Sequence, residues 1–317
     1  MKGRWKLPLG YFLTKSITAD VQAGMVREAL IRTYEAGVKV RVCTMDGTAH
    51  NTSTYKKLGC NILPNKISDM KVEFLHPHKD AHYNVYGMLD PPHMIKLVRN
   101  LLAEYWELYW PGKGTVRWAY IVRLQETQKA HQGVRLANKI THKHIKYKRN
   151  KMKVYLATQL FSRSVAKSLE WCHEHKVPGF ESKDVLVTAE FVSLHNDLFD
   201  VLNSRALGSR GLKKALTVDN LPKAQETFRK FEKLYEILEG PGGKKVIHSR
   251  RRTGPLGFIS CIRTVEKLVA DMKEGTLPLS FLRCYRLQQD SDCINAVHSK
   301  KTNISRKCKS TLFTICS

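Results

Sequence analysis

The feature that most constrains the fold is a strand-like apolar run that ends in a single carboxylate. In residues 38–51, which read VKVRVCTMDGTAHN, valines at alternate positions predict a buried strand. Asp46 follows this strand, and Gly47 permits a sharp turn. Because ligands and metals gather at the C-terminal ends of strands, Asp46 is a candidate ligand for a metal ion on a nucleic-acid backbone. The alternative is that the Asp-Gly pair only makes a turn, and the residues alone favour that alternative.

The charge of the chain indicates an anionic polymer as partner. Its 317 residues include 54 Lys and Arg against 28 Asp and Glu, which gives a formal net charge of +26. Nucleic acid is the leading partner for such an excess in a protein without membrane segments. A generically basic protein, such as one associated with ribosomes, is the alternative and would also bind nucleic acid. The length allows two domains, or one domain with a large insertion.

Several other classes are disfavoured. No uninterrupted apolar segment approaches the ~18 residues that span a bilayer, so no membrane partner is expected. The basic N-terminus is interrupted by Pro8 and Gly10 and is typical of a strand rather than a signal peptide. None of the eight cysteines forms a C-x-x-C pair, which disfavours a structural zinc module and favours a reducing compartment.

Apolar periodicity divides the chain into an α/β part and a mainly helical part. The first part has predicted strands and helices in alternation, which indicates an α/β unit with at least partly parallel pairing. Its predicted strands are residues 5–13, 38–44, 72–76 and 83–89, and its helices are 20–36, 54–58 and 94–110. Helical signals then dominate to about residue 286, at 152–171, 189–202, 222–238 and 258–272. After residue 290 the periodicity fades, and we expect disordered or unrelated sequence.

A second candidate element is the segment NVYGMLDPPHMIKLVRN at residues 84–100. A strand delivers Asp90, two prolines turn the chain, and a helix starts near His93. An Asp90–His93 contact across the turn could orient a catalytic carboxylate or pin the strand to the helix. The alternative, which the residues alone favour, is an Asp helix cap followed by prolines at the first helical positions.

Residues 139–153, KITHKHIKYKRNKMK, are the most concentrated basic stretch, with six lysines, one arginine and two histidines. Such clustering favours phosphate binding over a merely solvated helix face. A second cluster, Lys244, Lys245 and residues 250–252, lies on a glycine-rich linker and could serve nucleic acid or nuclear import.

Asp200 and Asn203 lie one helical turn apart in the sequence NDLFDVLNSR. A carboxylate can accept both hydrogen bonds from the N1–H and exocyclic amine of guanine, and a nearby amide can reinforce that choice. An exposed helix face is the alternative, and the residues alone favour it. No G-x-x-x-x-G-K-[ST] loop is present, so a nucleotide site here is not of the phosphate-loop kind.

Taken together these segments resemble the P-element type of transposase, whose animal members often carry an N-terminal THAP zinc finger. The matching pieces run in family order through most of residues 4–290 and include WKLPLGYFLT, VKVRVCTMDGTAHN, DPPHMIKLVRN, LANKITHKH, KMKVYLATQLFSRSVA, NDLFDVLNSR and TGPLGFISCIRTVEKL. The resemblance implies a partial RNase H-like domain, a mixed sheet with helices, interrupted by a mainly helical GTP-binding insertion. The expected boundaries are residues 1–124, 125–286 for the insertion, and 287–317 for a remnant of the catalytic domain.

The resemblance also implies roles for individual residues. Asp46 matches the second Asp of an Asp-Asp-Glu triad that binds Mg²⁺ for DNA cleavage and strand transfer, at the end of the family's fourth strand. Asp90 and His93 resemble a D-x-x-H element that supports that site. The implied GTP contacts are Lys139, Lys153 and Val154, with Asp200 and Asn203 reading guanine and Asp290 as a further contact.

Departures from the family pattern are equally specific. The family's first catalytic Asp belongs to a strand that should precede the one at which this chain starts, and the Q-D-H-L-E continuation is replaced so that Cys293 stands at the Glu position. We therefore expect a transposase-derived fragment that is inactive by itself, with DNA, GTP, Mg²⁺ and a second copy of the chain as expected partners, in the nucleus. The alternatives are a non-enzymatic host protein that binds nucleic acid, and an active enzyme whose missing residues lie outside this sequence.

Overall fold

A computed structural model describes residues 13–14, 17–130, 137, 139–289 and 309–310. The strands are β1 (Leu13–Thr14), β2 (Val42–Met45), β3 (Glu73–Leu75), β4 (Asn84–Leu89), β5 (Glu107–Trp110), β6 (Gly114–Arg117) and β7 (Lys309–Ser310). The helices are α1 (Ala19–Glu35), α2 (Ala49–Leu58), α3 (Pro91–Tyr105), α4 (Trp118–Ala130), α5 (His142–Ile145), α6 (Val154–Leu160), α7 (Arg163–Glu174), α8 (Asp184–Leu202), α9 (Leu221–Ile237) and α10 (Thr253–Lys273).

The central sheet has the order β2–β4–β3. β2 runs parallel to β4, with Met45 opposite Leu89, and β3 runs antiparallel to β4, with Glu73 opposite Tyr86. β4 is buried from its second residue to its last, as expected for a central strand. The predicted mixed sheet with helices, and the α/β class, are therefore confirmed. β1 pairs with β7 in a separate ladder of two residues.

Helices from both ends of the chain pack on β4. Tyr55 of α2 is fully buried and donates its hydroxyl to the carbonyls of Cys43 and Met88, both at 2.8 Å. On α10, Thr264 donates to the Gly87 carbonyl at 3.1 Å. No side chain would fit at Gly87, because a Cβ there would lie 2.6 Å from the Tyr55 ring. The core therefore closes around one glycine of the central strand.

The helix predicted to run through residue 110 ends at Tyr105. Trp106 has a positive φ of 68°, which the α-helix does not allow, and the next residues form the β5–β6 hairpin with Glu107 opposite Arg117. The prediction was wrong here because the alternating residues 107–110 pair with a strand further along the chain. Similarly, the single helix predicted at residues 152–171 is two helices, α6 and α7, that meet at Phe161.

The segment between the hairpin and α10 is mainly helical, as predicted. α10, however, packs against α3 and β4: a Cβ on Gly257 would meet Met94 and Leu89, and one on Gly254 would meet Val98. α10 belongs to the stretch that was predicted as the insertion, yet its glycines pack against α3 and β4. No helix in the described ranges is long and apolar enough to cross a membrane.

Candidate active centre and nucleotide-binding segment

Asp46 lies directly after β2, in the turn that leads into α2. Its Oδ1 accepts hydrogen bonds from the Thr48 N–H at 3.0 Å and from Asn51 Nδ2 at 2.7 Å. The bond from Thr48 is the contact between an Asp side chain and the backbone N–H two residues later, which stabilises an Asp turn. Oδ2 forms no hydrogen bond with any residue that the structure describes, so it remains open to a ligand. The residue thus has the turn role, and its metal role stays a prediction.

Asp90 lies beside Asp46 because the parallel strands β2 and β4 end together. The Asp90 N–H donates to the Met45 carbonyl at 2.9 Å, one step beyond the last register pair. Asp90 is also the N-cap of α3: its Oδ2 accepts from the His93 N–H at 3.2 Å, and prolines occupy the first helical positions. The helix-cap interpretation is therefore correct, and the same residue still contributes a carboxylate next to Asp46.

Burial dominates the ionisation of Asp90. The residue is 7% exposed, and removal from water raises its pKa to about 7. Hydrogen bonds from the Gln289 and His93 backbone, together with the charge of Lys96, act in the opposite direction, while the charge of Asp46 adds to the increase. At neutral pH the Asp90 carboxyl is therefore close to half protonated.

The His93 imidazole does not contact the Asp90 carboxylate as the sequence suggested. In the described part of the chain its ring partner is Lys96, whose Nζ lies 3.3 Å from His93 Nδ1. Burial lowers the pKa of His93 to about 4, so the ring is neutral at pH 7 and can accept a hydrogen bond from Lys96.

Lys96 is a buried cation that the sequence analysis missed. It is 4% exposed, burial lowers its pKa, and the charges of Asp46 and Asp90 hold that pKa up. Its spacing of three residues from His93 was the available signal, since both then lie on one face of α3.

The C-terminal described segment reaches the same centre. The Gln289 N–H donates to Asp90 Oδ1 at 3.0 Å, and its side-chain amide donates to the Thr44 carbonyl at 3.1 Å. Thr44 in turn donates its hydroxyl to the Leu287 carbonyl at 2.6 Å. Residues 287–289 therefore lie along the end of β2. Asp290, a predicted GTP contact, and Cys293 fall outside the described residues.

The described residues do not fit a site for two magnesium ions. Within the described ranges no three His, Cys, Asp or Glu side chains converge as a metal cluster. Of the neighbouring carboxylates, Asp46 has one open oxygen, whereas Asp90 accepts backbone hydrogen bonds at both oxygens. Lys96 already supplies a positive charge there. Two Mg²⁺ ions need more oxygen ligands than this.

Residues 139–153 form an exposed cationic surface, which we call the basic segment. Its seven Lys and Arg side chains are all exposed, and none forms an ion pair with a described carboxylate; they are Lys139, Lys143, Lys146, Lys148, Arg149, Lys151 and Lys153. The segment contains no acidic residue. It is not one helix face, because α5 is a single turn followed by a 3₁₀ turn.

Hydrogen bonds, several of them to buried side chains, hold the basic segment in place. Arg99 of α3 is fully buried and donates to the carbonyls of Asn150 (3.1 Å) and Lys151 (3.0 Å). Asn150 donates its amide to the carbonyls of Lys143 and Lys146, and His144 is buried with its ring at 3.0 Å from Gln159. The lysines therefore project from a backbone fixed before any ligand arrives. Nothing in the sequence pattern singles out Arg99, since a buried arginine is rare.

Asp200 lies near the end of α8, and Asn203 is the helix C-cap. The Asp200 side chain is 24% exposed, accepts from Asn196 Nδ2 at 3.2 Å, and has Lys213 Nζ 3.8 Å from its other oxygen. Burial raises its pKa, and Lys213 and Asn196 act against that increase. Asp200 and Asn203 therefore lie three residues apart at the end of α8, and their role in reading guanine stays a prediction.

The predicted site residues thus fall into separate groups. Asp46, Asp90 and His93 come together at the ends of β2 and β4. Lys153 and Val154 begin α6, and Lys139 precedes α5. No hydrogen bond or ion pair joins this second group to Asp200 or Asn203 within the described ranges.

Comparison with known proteins agrees with this architecture. Residues 1–59 match the TNP-like RNase H N-terminal domain, and residues 92–215 match the TNP-like GTP-binding insertion domain. Human DNA transposase THAP9 is 28% identical over 291 residues, which cover 91% of this chain and 31% of THAP9. The Transposable element P transposase of Drosophila melanogaster is 30% identical over 206 residues, which cover 65% of this chain and 25% of that protein.

The fold is also that of a solved relative. The Drosophila P element transposase strand transfer complex aligns with a TM-score of 0.73 at 24% identity, over 88% of this chain and 59% of the solved chain. This chain therefore spans less than a third of the length of either curated relative. The order of the matched domains, the shared fold and the similarity over nine-tenths of the sequence assign the chain to the P-element/THAP9-like transposase family, with that family's RNase H N-terminal and GTP-binding insertion domains.

Proposed function

We propose that this chain binds guanine nucleotide and DNA as part of a P-element-like transposase and does not cut or join DNA by itself. The observation that carries the proposal is the basic segment, which presents seven exposed cations without described ion-pair partners on a backbone held by Arg99. Such a surface favours an anionic partner, and it lies within the match to a GTP-binding insertion domain.

For the nucleotide, the lysines and Asp200 have complementary tasks. Lys139 and Lys153 are exposed and free to bind phosphate oxygens as point charges. Asp200 carries a carboxylate that Asn196 and Lys213 hold in place, and it can accept both donors of the guanine edge, with Asn203 one turn away. Adenine lacks that pair of donors, so the site should prefer GTP to ATP.

Nucleotide titration tests this assignment. We expect saturable GTP binding by the full chain, with ATP much weaker. Asp200→Ala removes two hydrogen bonds to a charged acceptor, which should cost about 2–3 kcal/mol, or about 30- to 150-fold in Kd. Glu190→Ala on the same helix, an exposed residue paired with Lys113, should leave Kd unchanged. Equal loss in both variants, or equal GTP and ATP affinity, would contradict the proposal.

DNA binding is supported by the net charge of +26 and the same segment. Its affinity should fall steeply with salt, because bound phosphates release counterions. A host protein that binds nucleic acid without a nucleotide is the second candidate, and the exposed Lys244 and Lys245 favour it as well. A DNA affinity that changes neither with added GTP nor on substitution of Asp200 would support that candidate. Residence in the nucleus also stays a proposal, which imaging of a tagged chain would test.

We expect no phosphodiester transfer by the chain alone, because Asp46 and Asp90 with the Lys96 cation do not fit a pair of Mg²⁺ ions. These residues stabilise the local structure. Asp46 holds the turn, and Asp90 caps α3 and accepts a hydrogen bond from the backbone of residue 289. Lys96 places one positive charge beside both carboxylates. Incubation with transposon-end DNA in Mg²⁺ should give no cleaved or joined product. Product that disappears in Asp46→Asn would refute this part.

A further inference from the structure

A second cationic surface lies where residues 204–216 meet residues 281–289. The two stretches contain six Lys and Arg and no Asp or Glu. Five of these cations are exposed, namely Arg205, Arg210, Lys213, Lys214 and Arg283. Lys213 Nζ lies 3.8 Å from an Asp200 oxygen, and the other four exposed cations form no ion pair with a carboxylate in the described ranges. We call these two stretches together the second basic surface.

Backbone hydrogen bonds join the two stretches to each other. Leu216 and Leu282 each donate an N–H to the other's carbonyl, at 2.9 and 2.7 Å. The Tyr285 N–H donates to the Ser204 carbonyl at 3.2 Å. The cations therefore project from a backbone that is fixed before a ligand binds, which lowers the entropic cost of binding.

Aromatic rings position two of the guanidinium groups. Arg205 Cζ lies 5.3 Å from the centre of the Tyr285 ring. Arg283 Cζ lies 5.1 Å from the centre of the Phe281 ring. These cation–π contacts hold the planar group while its N–H donors remain able to bind the oxygens of a phosphate.

The second basic surface leads to the end of the sheet where Asp46 and Asp90 lie. The Gln289 N–H donates to Asp90 Oδ1 at 3.0 Å. Gln289 follows Arg283 by six residues, so the backbones of these two residues lie at most about 22 Å apart. At about 3.4 Å for each base pair, that distance corresponds to about six base pairs of duplex DNA.

The chemistry of this surface favours a nucleic-acid backbone as its partner. Duplex DNA carries one negative charge for about every 1.7 Å of its axis, so a single duplex can engage several of these cations at once. A protein partner is disfavoured, because the cores of protein interfaces are depleted of charge and rich in apolar anchors. Leu207 is the one large hydrophobic side chain that is exposed among the described residues of this surface.

We propose that the second basic surface binds the phosphate backbone of duplex DNA beside the Asp46 and Asp90 end of the sheet. Arg205, Arg210 and Arg283 donate to phosphate oxygens, and Lys214 adds a point charge. This inference rests on the proposed DNA binding and adds a second contact with the duplex. No hydrogen bond or ion pair between described residues joins this surface to the basic segment, so the two contacts are separate.

Fluorescence anisotropy of a labelled DNA duplex, titrated with the full chain at several salt concentrations, tests the proposal. Arg210→Gln and Lys214→Gln should each reduce the slope of log K against log salt by about 1, because each removes one phosphate contact. Both side chains are exposed, so the substitutions carry little risk to folding. Lys167→Gln, at an exposed lysine of α7 that pairs with Glu170 at 2.6 Å, is the matched control and should keep the wild-type slope.

The outcomes separate this inference from the proposed function. Unchanged slopes in Arg210→Gln and Lys214→Gln, with a reduced slope in Lys148→Gln of the basic segment, would overturn the inference and leave the proposed DNA binding intact. Absence of DNA binding by the wild-type chain would contradict both.

GTP titration of the same variant separates the second basic surface from the nucleotide site. Arg210→Gln should keep the wild-type Kd for GTP. A loss of GTP affinity as large as that expected for Asp200→Ala would assign Arg210 to the nucleotide site and would overturn the inference.

Discussion

Asp90→Asn should change how stability depends on pH. The folded state raises the pKa of Asp90 from 3.8 to about 7, chiefly by burial. The folded protein therefore binds a proton more tightly at this site than the unfolded chain does. The stability from this site is fully present below pH 3.8 and is lost as the pH rises through 7. Asparagine at this position does not titrate, but its NH₂ group cannot accept one of the two backbone hydrogen bonds that the Asp90 oxygens accept, which is a cost that does not depend on pH.

The magnitude follows from the difference between the two pKa values. At about 1.4 kcal/mol for each pKa unit, the increase from 3.8 to about 7 corresponds to about 4 kcal/mol. Between pH 4 and pH 8 the free energy of unfolding of Asp90→Asn should therefore rise relative to wild type by up to about 4 kcal/mol, on top of a constant cost of about 1–3 kcal/mol for the lost hydrogen bond. Other groups titrate similarly in both proteins, so the difference isolates Asp90.

Urea unfolding followed by circular dichroism at pH 4, 6 and 8 measures this difference. Asp219→Asn, at an exposed carboxylate without a described ion pair, is the matched control and should follow wild type at each pH. A constant difference between Asp90→Asn and wild type across the range would refute the reasoning, because it would mean that Asp90 titrates alike in the folded and unfolded chains. A stability difference that moves against Asp90→Asn as the pH rises would refute it as well, and would show that the folded chain favours the charged carboxylate.

Three other substitutions test different parts of the structure. Arg99→Met removes the two bonds to the carbonyls of Asn150 and Lys151 and should lower GTP affinity without touching the nucleotide; equal affinity in wild type and variant by titration would show that the basic segment does not need this support. Lys148→Gln should reduce the slope of log K against log salt for DNA by about 1, whereas Lys230→Gln, at a lysine already paired with Glu226, should not. Gly87→Ala should cost about 2–4 kcal/mol in chemical unfolding, because its Cβ would lie 2.6 Å from a Tyr55 ring that two hydrogen bonds fix in place. Gly24→Ala, with open space around it on α1, should instead stabilise by about 0.5–1 kcal/mol. Little or no loss of stability in Gly87→Ala would mean that the Tyr55 ring yields.

Local patterns predicted most of the secondary structure. The strand at residues 84–89, the helix α1 and the two long helices α8 and α10 all carry clear periodicity, and the structure has them close to the predicted positions. The cap at Asp90 was also predictable, since an Asp followed by two prolines has one favourable local geometry.

Predictions failed where distant parts of the chain compete with local preference. Helical spacing continues past Tyr105, yet residues 107–110 become a strand because residues 114–117 pair with them. A contact between the Asp90 and His93 side chains was one possibility beside the favoured helix cap, but the His93 ring contacts Lys96 because both project from one face of α3. Residue spacing alone does not predict which of several neighbouring side chains the His93 ring will contact.

The sequence by itself determined the identity of most of the elements, the basic character of the chain, and the family resemblance that singled out Asp46, Asp90 and Asp200. Only the tertiary structure decided which of these residues share a site. Asp46 and Asp90 are neighbours because β2 and β4 are parallel, and Gln289 reaches Asp90 across 199 residues of sequence. The burial of Lys96 and Arg99 also arises from that packing. Local sequence encodes propensity and charge, whereas burial and pairing are properties of the closed sheet and the helices packed on it.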